Sequence, residues 1–377
     1  MKELQEIAWA WEALRRQGQS AALATVVRVD GSAYRRPGAR MLVEPDGQTV
    51  GSVSGGCLEA DVVLRAQRVR ETEESAVVTY DTTDDSDILL GVGLGCRGVV
   101  RVLIERLSPQ CDDAITLPAG LLRGREASAL ATVYHAEGAT GLRVGERLLL
   151  GADGREIGHP ALRAGARRAL DAGKSACRTI RVAGGHAEVF FEVIWPPRPL
   201  VIFGAGQDAQ PLARLAKEVG WHVTVADSRP ALAVPSRFPE ADAVLVSPRD
   251  GLPASLALDE RTAAVVMTHN YLQDRALLAA LLPSPVWYLG VLGPKRRTEL
   301  LLAELREDGL IITDAMRARL HGPVGLDIGA ETPEGIALAI VAEIQAMATG
   351  RAGGLLRERS GPLYSPADED APCPTSP

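Results

Sequence analysis

Two stretches of this chain repeat one another without a gap. Ala22-Leu-Ala-Thr-Val26 returns as Ala129-Leu-Ala-Thr-Val133, and Arg40-Met-Leu-Val-Glu-Pro-Asp-Gly47 returns as Arg147-Leu-Leu-Leu-Gly-Ala-Asp-Gly154, both at one constant offset. Gly31, Gly38 and Gly51 then fall on Gly138, Gly145 and Gly158. After a shift, Ser75-Ala76 matches Ser175-Ala176, and Val102 to Glu105 resembles Val189 to Glu192. Scattered apolar matches arise by chance, but a shared register does not. The first 195 residues therefore read as one supersecondary motif built twice, over about 20–107 and 127–195.

The motif has a readable order. A helical pattern from Met1 to Arg16 precedes a strand from Ala21 to Val29. A hairpin from Arg40 to Val50 turns at Asp46-Gly47. A helix with Leu58, Val62, Val63, Ala66 and Val69 at helical spacing comes next, then strands near Ala76 to Tyr80 and Val99 to Glu105. Trp195-Pro-Pro-Arg-Pro199 is a stiff linker. Beyond it, apolar runs at Leu200 to Phe203, Val223 to Ala226, Ala243 to Val246, Ala263 to Met267 and Val286 to Leu289 alternate with helical stretches, the last from Pro333 to Ala348. That alternation predicts a Rossmann-like, doubly wound parallel sheet over 196–350, behind an N-terminal α/β region over 1–195. Residues 351–377, rich in Gly, Pro, Ser and acid, read as a disordered tail.

Where the copies differ, the first carries the unusual chemistry. Ser54-Gly-Gly-Cys-Leu-Glu59 stands where the second copy has Ala161-Leu-Arg-Ala-Gly-Ala166, and Tyr34-Arg35 where it has Gly141-Leu142. Gly55 and Gly56 permit close approach of a ligand to the backbone. Cys57 then falls in a predicted first helical turn, beside free N–H groups that favour a thiolate. Gly91-Val-Gly-Leu-Gly-Cys-Arg-Gly98 presents Cys96 after Gly95 in a similar setting, with only a shortened counterpart near Ala183 to His186. Arg35 and Arg36, flanked by glycines, form a candidate anion site.

In the second half, Gly204-Ala-Gly206 follows a strand, opens a helix, and is answered by Asp227 at the next strand end. This is the dinucleotide fingerprint in its expected context. Asp208, however, is expected to compete with a pyrophosphate for the helix N–H groups. His269 follows another strand end. Lys295, Arg296 and Arg297 open a helix behind Pro294 and place positive charge at its positive pole, a conflict that an anionic ligand resolves.

Composition narrows the classes. A formal net charge of -7 gives no general pull toward nucleic acid or anionic membrane. Five scattered cysteines argue for a reducing compartment over a disulfide framework. No Cys-x-x-Cys or His-x-x-x-His spacing occurs, which argues against a structural zinc site. No run reaches the ~20 apolar residues that span a bilayer, and the amphipathic start is no signal peptide. The expected location is the cytoplasm.

Taken together, Gly31-Ser-Ala-Tyr-Arg-Arg-Pro-Gly-Ala-Arg40, Gly51-Ser-Val-Ser-Gly-Gly-Cys-Leu-Glu59, Gly93-Leu-Gly-Cys96, the Gly204 fingerprint, Thr268-His-Asn270 and Gly325-Leu-Asp-Ile-Gly329 resemble the XdhC/CoxI family of xanthine dehydrogenase accessory proteins. The resemblance runs from Met1 to about Met347. It implies a maturation factor and not an enzyme: a chaperone that binds molybdenum cofactor, holds it during exchange of an oxo ligand for sulfur, and delivers it to a molybdenum hydroxylase client. It further implies a cysteine desulfurase as sulfur source, with a homodimer as the plausible assembly. The cofactor is molybdopterin, alone or in a dinucleotide form. Expected contacts are Arg35, Arg36, Gly55, Gly56, Cys57, Glu59, Gly95 and Cys96, with Cys57 and Cys96 as soft metal ligands. Gly204, Gly206, Asp227, His269, Lys295 and Arg296 are expected to serve a nucleotide or phosphate. Gln207-Asp-Ala-Gln210 departs from the Gly-His-Val-Gly-type residues of many relatives, which weakens any phosphate role carried onto that loop. Two alternatives differ in class. One is an NAD(P)-dependent oxidoreductase, with Arg229 beside Asp227 admitting a 2′-phosphate. The other is a persulfide carrier on Cys57.

Overall fold

The computed structural model describes residues 2–81 and 98–360. Gly95 and Cys96, with the acidic loop before them, lie outside the described residues, as does the tail from 361. A short 3-10 turn, Leu356–Glu358, lies inside the part of the tail that is described. By contacts the chain divides into two units, Glu3–Pro196 and a second that begins at Pro197.

The first unit opens with α1 (Lys2–Arg16), whose Leu4, Ile7, Trp11 and Leu14 are buried at helical spacing. Its first copy follows as β1 (Ala21–Gly31), β2 (Arg40–Val43), β3 (Thr49–Gly51), α2 (Glu59–Thr72), β4 (Ala76–Asp81) and β5 (Gly98–Leu107). After α3 (Asp113–Leu121) the second copy runs β6 (Ser128–Gly138), β7 (Arg147–Gly151), β8 (Glu156–Gly158), α4 (Arg163–Ala172), β9 (Ala176–Val182) and β10 (Gly185–Ile194). The two five-stranded sheets have the same order, β3-β2-β1-β5-β4 and β8-β7-β6-β10-β9, with antiparallel neighbours throughout. Even the irregularity repeats. Pairing with the partner strand skips Val27 in β1 and Tyr134 in β6, one extra residue at matching positions.

β1 is buried on both faces, which is why it reads as a continuous apolar run. Ala22, Ala24 and Val26 pack with Val62, Ala66 and Val69 of α2, while Ala21 and Leu23 pack with α1 and α3. The skipped residues Val27 and Tyr134 meet each other, with Leu103 and Phe190, in one small apolar cluster shared by the copies.

Around that cluster the charges are reciprocal. The Arg40 guanidinium of the first copy holds Glu192 of the second, with Nη1 to Oε1 at 3.0 Å, and Arg147 of the second holds Glu105 of the first. Arg40 matches Arg147 in the repeat, and Glu105 matches Glu192, because each carboxylate faces equivalent Leu23 or Leu130 across its sheet. All four side chains are at most 13% exposed. Burial alone would lower the Arg40 pKa, but the Glu192, Glu105 and Glu3 carboxylates raise it above the ordinary value. The glycines obey the same symmetry. A Cβ at Gly38 would lie 2.8 Å from Glu192 Oε1, and one at Gly145 would lie 2.7 Å from Glu105 Oε1. A third pair, Arg101 with Glu188, joins two positions that match one another, with the charges reversed. This is the geometry of an isologous interface within one chain.

The second unit is one six-stranded parallel sheet. It contains β11 (Pro199–Phe203), β12 (His222–Asp227), β13 (Ala243–Val246), β14 (Ala263–Val266), β15 (Tyr288–Val291) and β16 (Leu320–His321), in the order β13-β12-β11-β14-β15-β16. This is the Rossmann order, with its switch point between β11 and β14. One face packs α5 (Ala209–Glu218) and a long helix, Pro333–Ala348; the other packs α6 (Tyr271–Leu281) and α7 (Lys295–Glu307). Among the described residues, no helix is long and apolar enough to cross a membrane.

The reciprocal pairs make a direct prediction. Removing one partner strands a buried charge, so Glu192→Ala should destabilise the first unit by about 3–5 kcal/mol. Replacing both, as Arg40→Met with Glu192→Leu, should recover most of that loss. Denaturant unfolding followed by far-ultraviolet circular dichroism reads this, and a double variant no better than the single would refute it.

Candidate functional site

Strand ends gather the motifs of the first copy. β1 ends at Gly31, which pairs with Gly98 at the start of β5; β4 ends at Asp81, which pairs with Val99; β3 ends at Gly51, which pairs with Met41 near the start of β2. The chain thus leaves β1, β3 and β4 at the same end of one sheet. Gly98 sits so close that a Cβ there would be 2.6 Å from the Ser32 carbonyl.

The 51–58 loop is held from inside. A Cβ at Gly51, φ 83°, would strike the Arg40 carbonyl, so this exit from β3 demands glycine. Ser54 is buried, and its Oγ accepts the N–H groups of Gly56 and Leu58, each at 3.1 Å. Glu59 turns back to accept the Ser54 N–H at 2.8 Å and the Ser54 hydroxyl. Burial raises the Glu59 carboxyl, but the Ser54 and Leu58 donors outweigh it and hold the group below its ordinary range. Glu59 is therefore a brace for the loop.

This bracing shifts the helix. α2 begins at Glu59 with Leu58 as its cap residue, so Cys57 lies before the helix and not in its first turn as its spacing predicts. In the second copy α4 begins at Arg163, the position that matches Gly56, and Gly165 lies beneath the Phe191 ring. The glycine pair of the first copy has unwound what is helix in the second. Cys57 is exposed as a result. Gly56, at φ 110°, has nothing within 4 Å of where a Cβ would stand. Among the described residues, the N–H groups of Gly55 and Cys57 have no protein partner.

A contact absent from the sequence pattern completes the loop. The Tyr34 ring lies over Gly55, with its Cγ 3.4 Å from an ideal Cβ there, yet Tyr34 is 69% exposed. An exposed aromatic face, open backbone and a free thiol are thus neighbours. Arg35 is committed elsewhere, paired through Nη2 with the Glu3 carboxylate of α1. Arg36 is half-buried, and its carbonyl accepts the Ala39 N–H at 3.1 Å.

In the second unit the fingerprint residues turn inward. Gly204, φ 122°, is needed because a Cβ would strike the Met267 carbonyl. Asp227 is fully buried. Its Oδ2 accepts the Ala205 N–H at 2.6 Å and Arg229 Nη2 at 2.7 Å, and its Oδ1 accepts the Arg229 N–H and Nε. Burial raises its pKa, but these donors win and keep it low. Both oxygens that would hold a ribose, and the guanidinium expected to admit a 2′-phosphate, are engaged with each other. Asp208 does not cap α5 with its side chain, contrary to expectation. Its Oδ2 meets His269 Nε2 at 2.7 Å, and its Oδ1 lies over Gly206. His269 holds a left-handed φ of 58°, which a residue with a Cβ rarely adopts.

The basic triplet also divides. Arg297 reaches the buried Asp274 at 2.6 Å and lies over the Tyr271 ring, so it is structural. Burial pushes Asp274 up despite the Thr268 hydroxyl and Arg297. Lys295 and Arg296 remain exposed at the start of α7. Gly325, from the last family motif, donates its N–H to Glu343, which Tyr288 and His321 also contact.

Known proteins resemble this chain in sequence and in fold. Residues 14–81 match the XdhC and CoxI family, and residues 200–344 match the XdhC Rossmann domain. A probable xanthine dehydrogenase subunit of Bacillus subtilis is 32% identical over 88% of this chain and 94% of its own length. The molybdenum cofactor insertion chaperone PaoD of Escherichia coli is 28% identical over 89% of this chain and 86% of its own. The crystal structure of a xanthine dehydrogenase from Bacillus halodurans superposes with a TM-score of 0.73 at 30% identity, over 92% of this chain and 96% of that one. Matched by family models in both halves, and 32% identical to a relative over 94% of that relative's length, this chain belongs to the XdhC and CoxI family.

Proposed function

We propose that this chain is a maturation factor that binds molybdenum cofactor and passes it to a molybdenum hydroxylase. The exposed Cys57, two residues after the Gly55 on which the Tyr34 ring lies, carries the reading. The kinship with a molybdenum cofactor insertion chaperone supports it. The donor set suits such a cargo. A thiol is a soft ligand of the kind molybdenum takes, an aromatic face stacks on a pterin ring, and unpaired N–H groups donate to anionic oxygens. Cys96, which lies outside the described residues, is proposed as a second soft ligand. Arg36 supplies charge at the same end of the sheet.

Ser54 and Glu59 preorganise the loop, so that binding costs little ordering. Lys295 and Arg296 form an anion-binding turn within the second unit, where their charge meets the positive pole of a helix. In this reading the factor keeps the cofactor while a cysteine desulfurase supplies sulfur, and works as a homodimer. The Rossmann domain is scaffold and not a redox site, because Asp227 and Arg229 neutralise one another.

Two outcomes are expected. In timed iodoacetamide labelling, molybdenum cofactor should slow modification of Cys57 at least about tenfold and leave exposed Cys111 unchanged; equal labelling of Cys57 with and without cofactor would remove it from the site. Calorimetry with NAD or NADP should show no micromolar binding, since the ribose acceptor is consumed. Micromolar affinity for either would restore the oxidoreductase reading.

A further inference from the structure

The second copy carries its own cluster, at the strand end that corresponds to the cofactor loops. His135 and Glu137 alternate on β6 and so share one face. His186 on β10 pairs directly with Glu137, and Glu188 with His135. The ligand atoms of His135, Glu137 and His186 all lie within 4.8 Å of one another. His186 Nε2 stands 3.4 Å from Glu137 Oε2, and the two imidazole centroids are 6.4 Å apart, tilted by 51°. Nitrogen and oxygen ligands sit ~2.0–2.2 Å from a transition metal, which places neighbouring donors roughly 3–4 Å apart. Small rotamer changes of side chains that are largely solvent-facing close that gap.

The matching positions of the first copy show that the fold does not need this set. Arg28 and Asp30 stand for His135 and Glu137, and Val99 for His186. There Arg28 Nε donates to both Asp30 oxygens, at 3.0 and 2.9 Å, and the charges cancel within the pair. The second copy has exchanged a self-satisfied ion pair for two imidazoles and a carboxylate that converge. Other charges on this face are partly neutralised. Glu188 is tied to Arg101, and Arg181 of β9 faces His186 across the sheet.

We propose that His135, Glu137 and His186 form a site for a borderline divalent transition-metal ion. Two imidazoles and one carboxylate favour such an ion over Mg²⁺ or Ca²⁺, which prefer all-oxygen shells. Three protein ligands on an open sheet face leave coordination positions for water or for a donor atom of a bound molecule.

Cobalt(II) titration of the full chain tests this, because cobalt reports its ligands spectroscopically. The expected result is one equivalent with visible d–d bands and no thiolate-to-cobalt charge transfer. His135→Ala and His186→Ala should each weaken binding by roughly tenfold or more, with the far-ultraviolet circular dichroism unchanged. Glu137→Gln, which keeps size and shape, should weaken it without disturbing either imidazole. Thiolate charge transfer, binding that survives the double histidine variant, or no binding at millimolar cobalt would each overturn the proposal.

Discussion

The two buried Arg–Glu pairs between the copies, Arg40 with Glu192 and Arg147 with Glu105, are the constraint on which the first unit rests. Each arginine costs desolvation that its partner carboxylate does most to offset, and that partner belongs to the other copy. Arg40 also ties the start of β2 to the glycine loop, through its Nη1 contact to the Gly38 carbonyl at 2.9 Å, and Arg147 repeats this at Gly145. Gly38 and Gly145 hold φ of 95° and 87°, which favours glycine, and a Cβ at either would crowd the carboxylate of the other copy. The segment that follows β1, and its counterpart after β6, is thereby anchored at its base.

That anchoring allows the copies to diverge where they do not touch. In the second copy the segment after β8 coils at once into α4, with Gly165 pressed on Phe191. In the first, Ser54 and Glu59 satisfy donors that a helix would otherwise use, and the chain stays open through Gly56 and Cys57. An exposed thiol on a braced loop follows from those few side chains. The Rossmann domain shows the converse. It keeps the strand order and the tight glycine at Gly204, but Asp227, Arg229, Asp208 and His269 spend their polar atoms on each other.

What is legible in the sequence is what depends on local pattern. The repeat, the Asp46-Gly47 hairpin, the βαβ alternation and the family motifs all follow from period, register and turn chemistry. The features that stay hidden depend on partners far away in sequence or on contacts with no period. Leu58 to Val69 is periodic and draws Cys57 into the helix, while the brace from Ser54 to Glu59 that holds it out has no periodic signature. Nothing near Arg35 announces Glu3, and nothing near Arg297 announces Asp274. Tyr34 meets Gly55 only because two loops leave the same sheet end. The His135, Glu137 and His186 cluster is hidden for the same reason, as two strands and not one helix supply its spacing.

The central claim is that the Cys57 loop binds molybdenum cofactor. Anaerobic titration of the intact chain with the isolated cofactor, followed by pterin fluorescence, tests it most directly when repeated with Cys57→Ser and Tyr34→Ala. The account predicts saturable binding, weakened about tenfold or more by each substitution, with unfolding midpoints unchanged. Equal affinity in all three proteins, or no saturable binding in any, would contradict it.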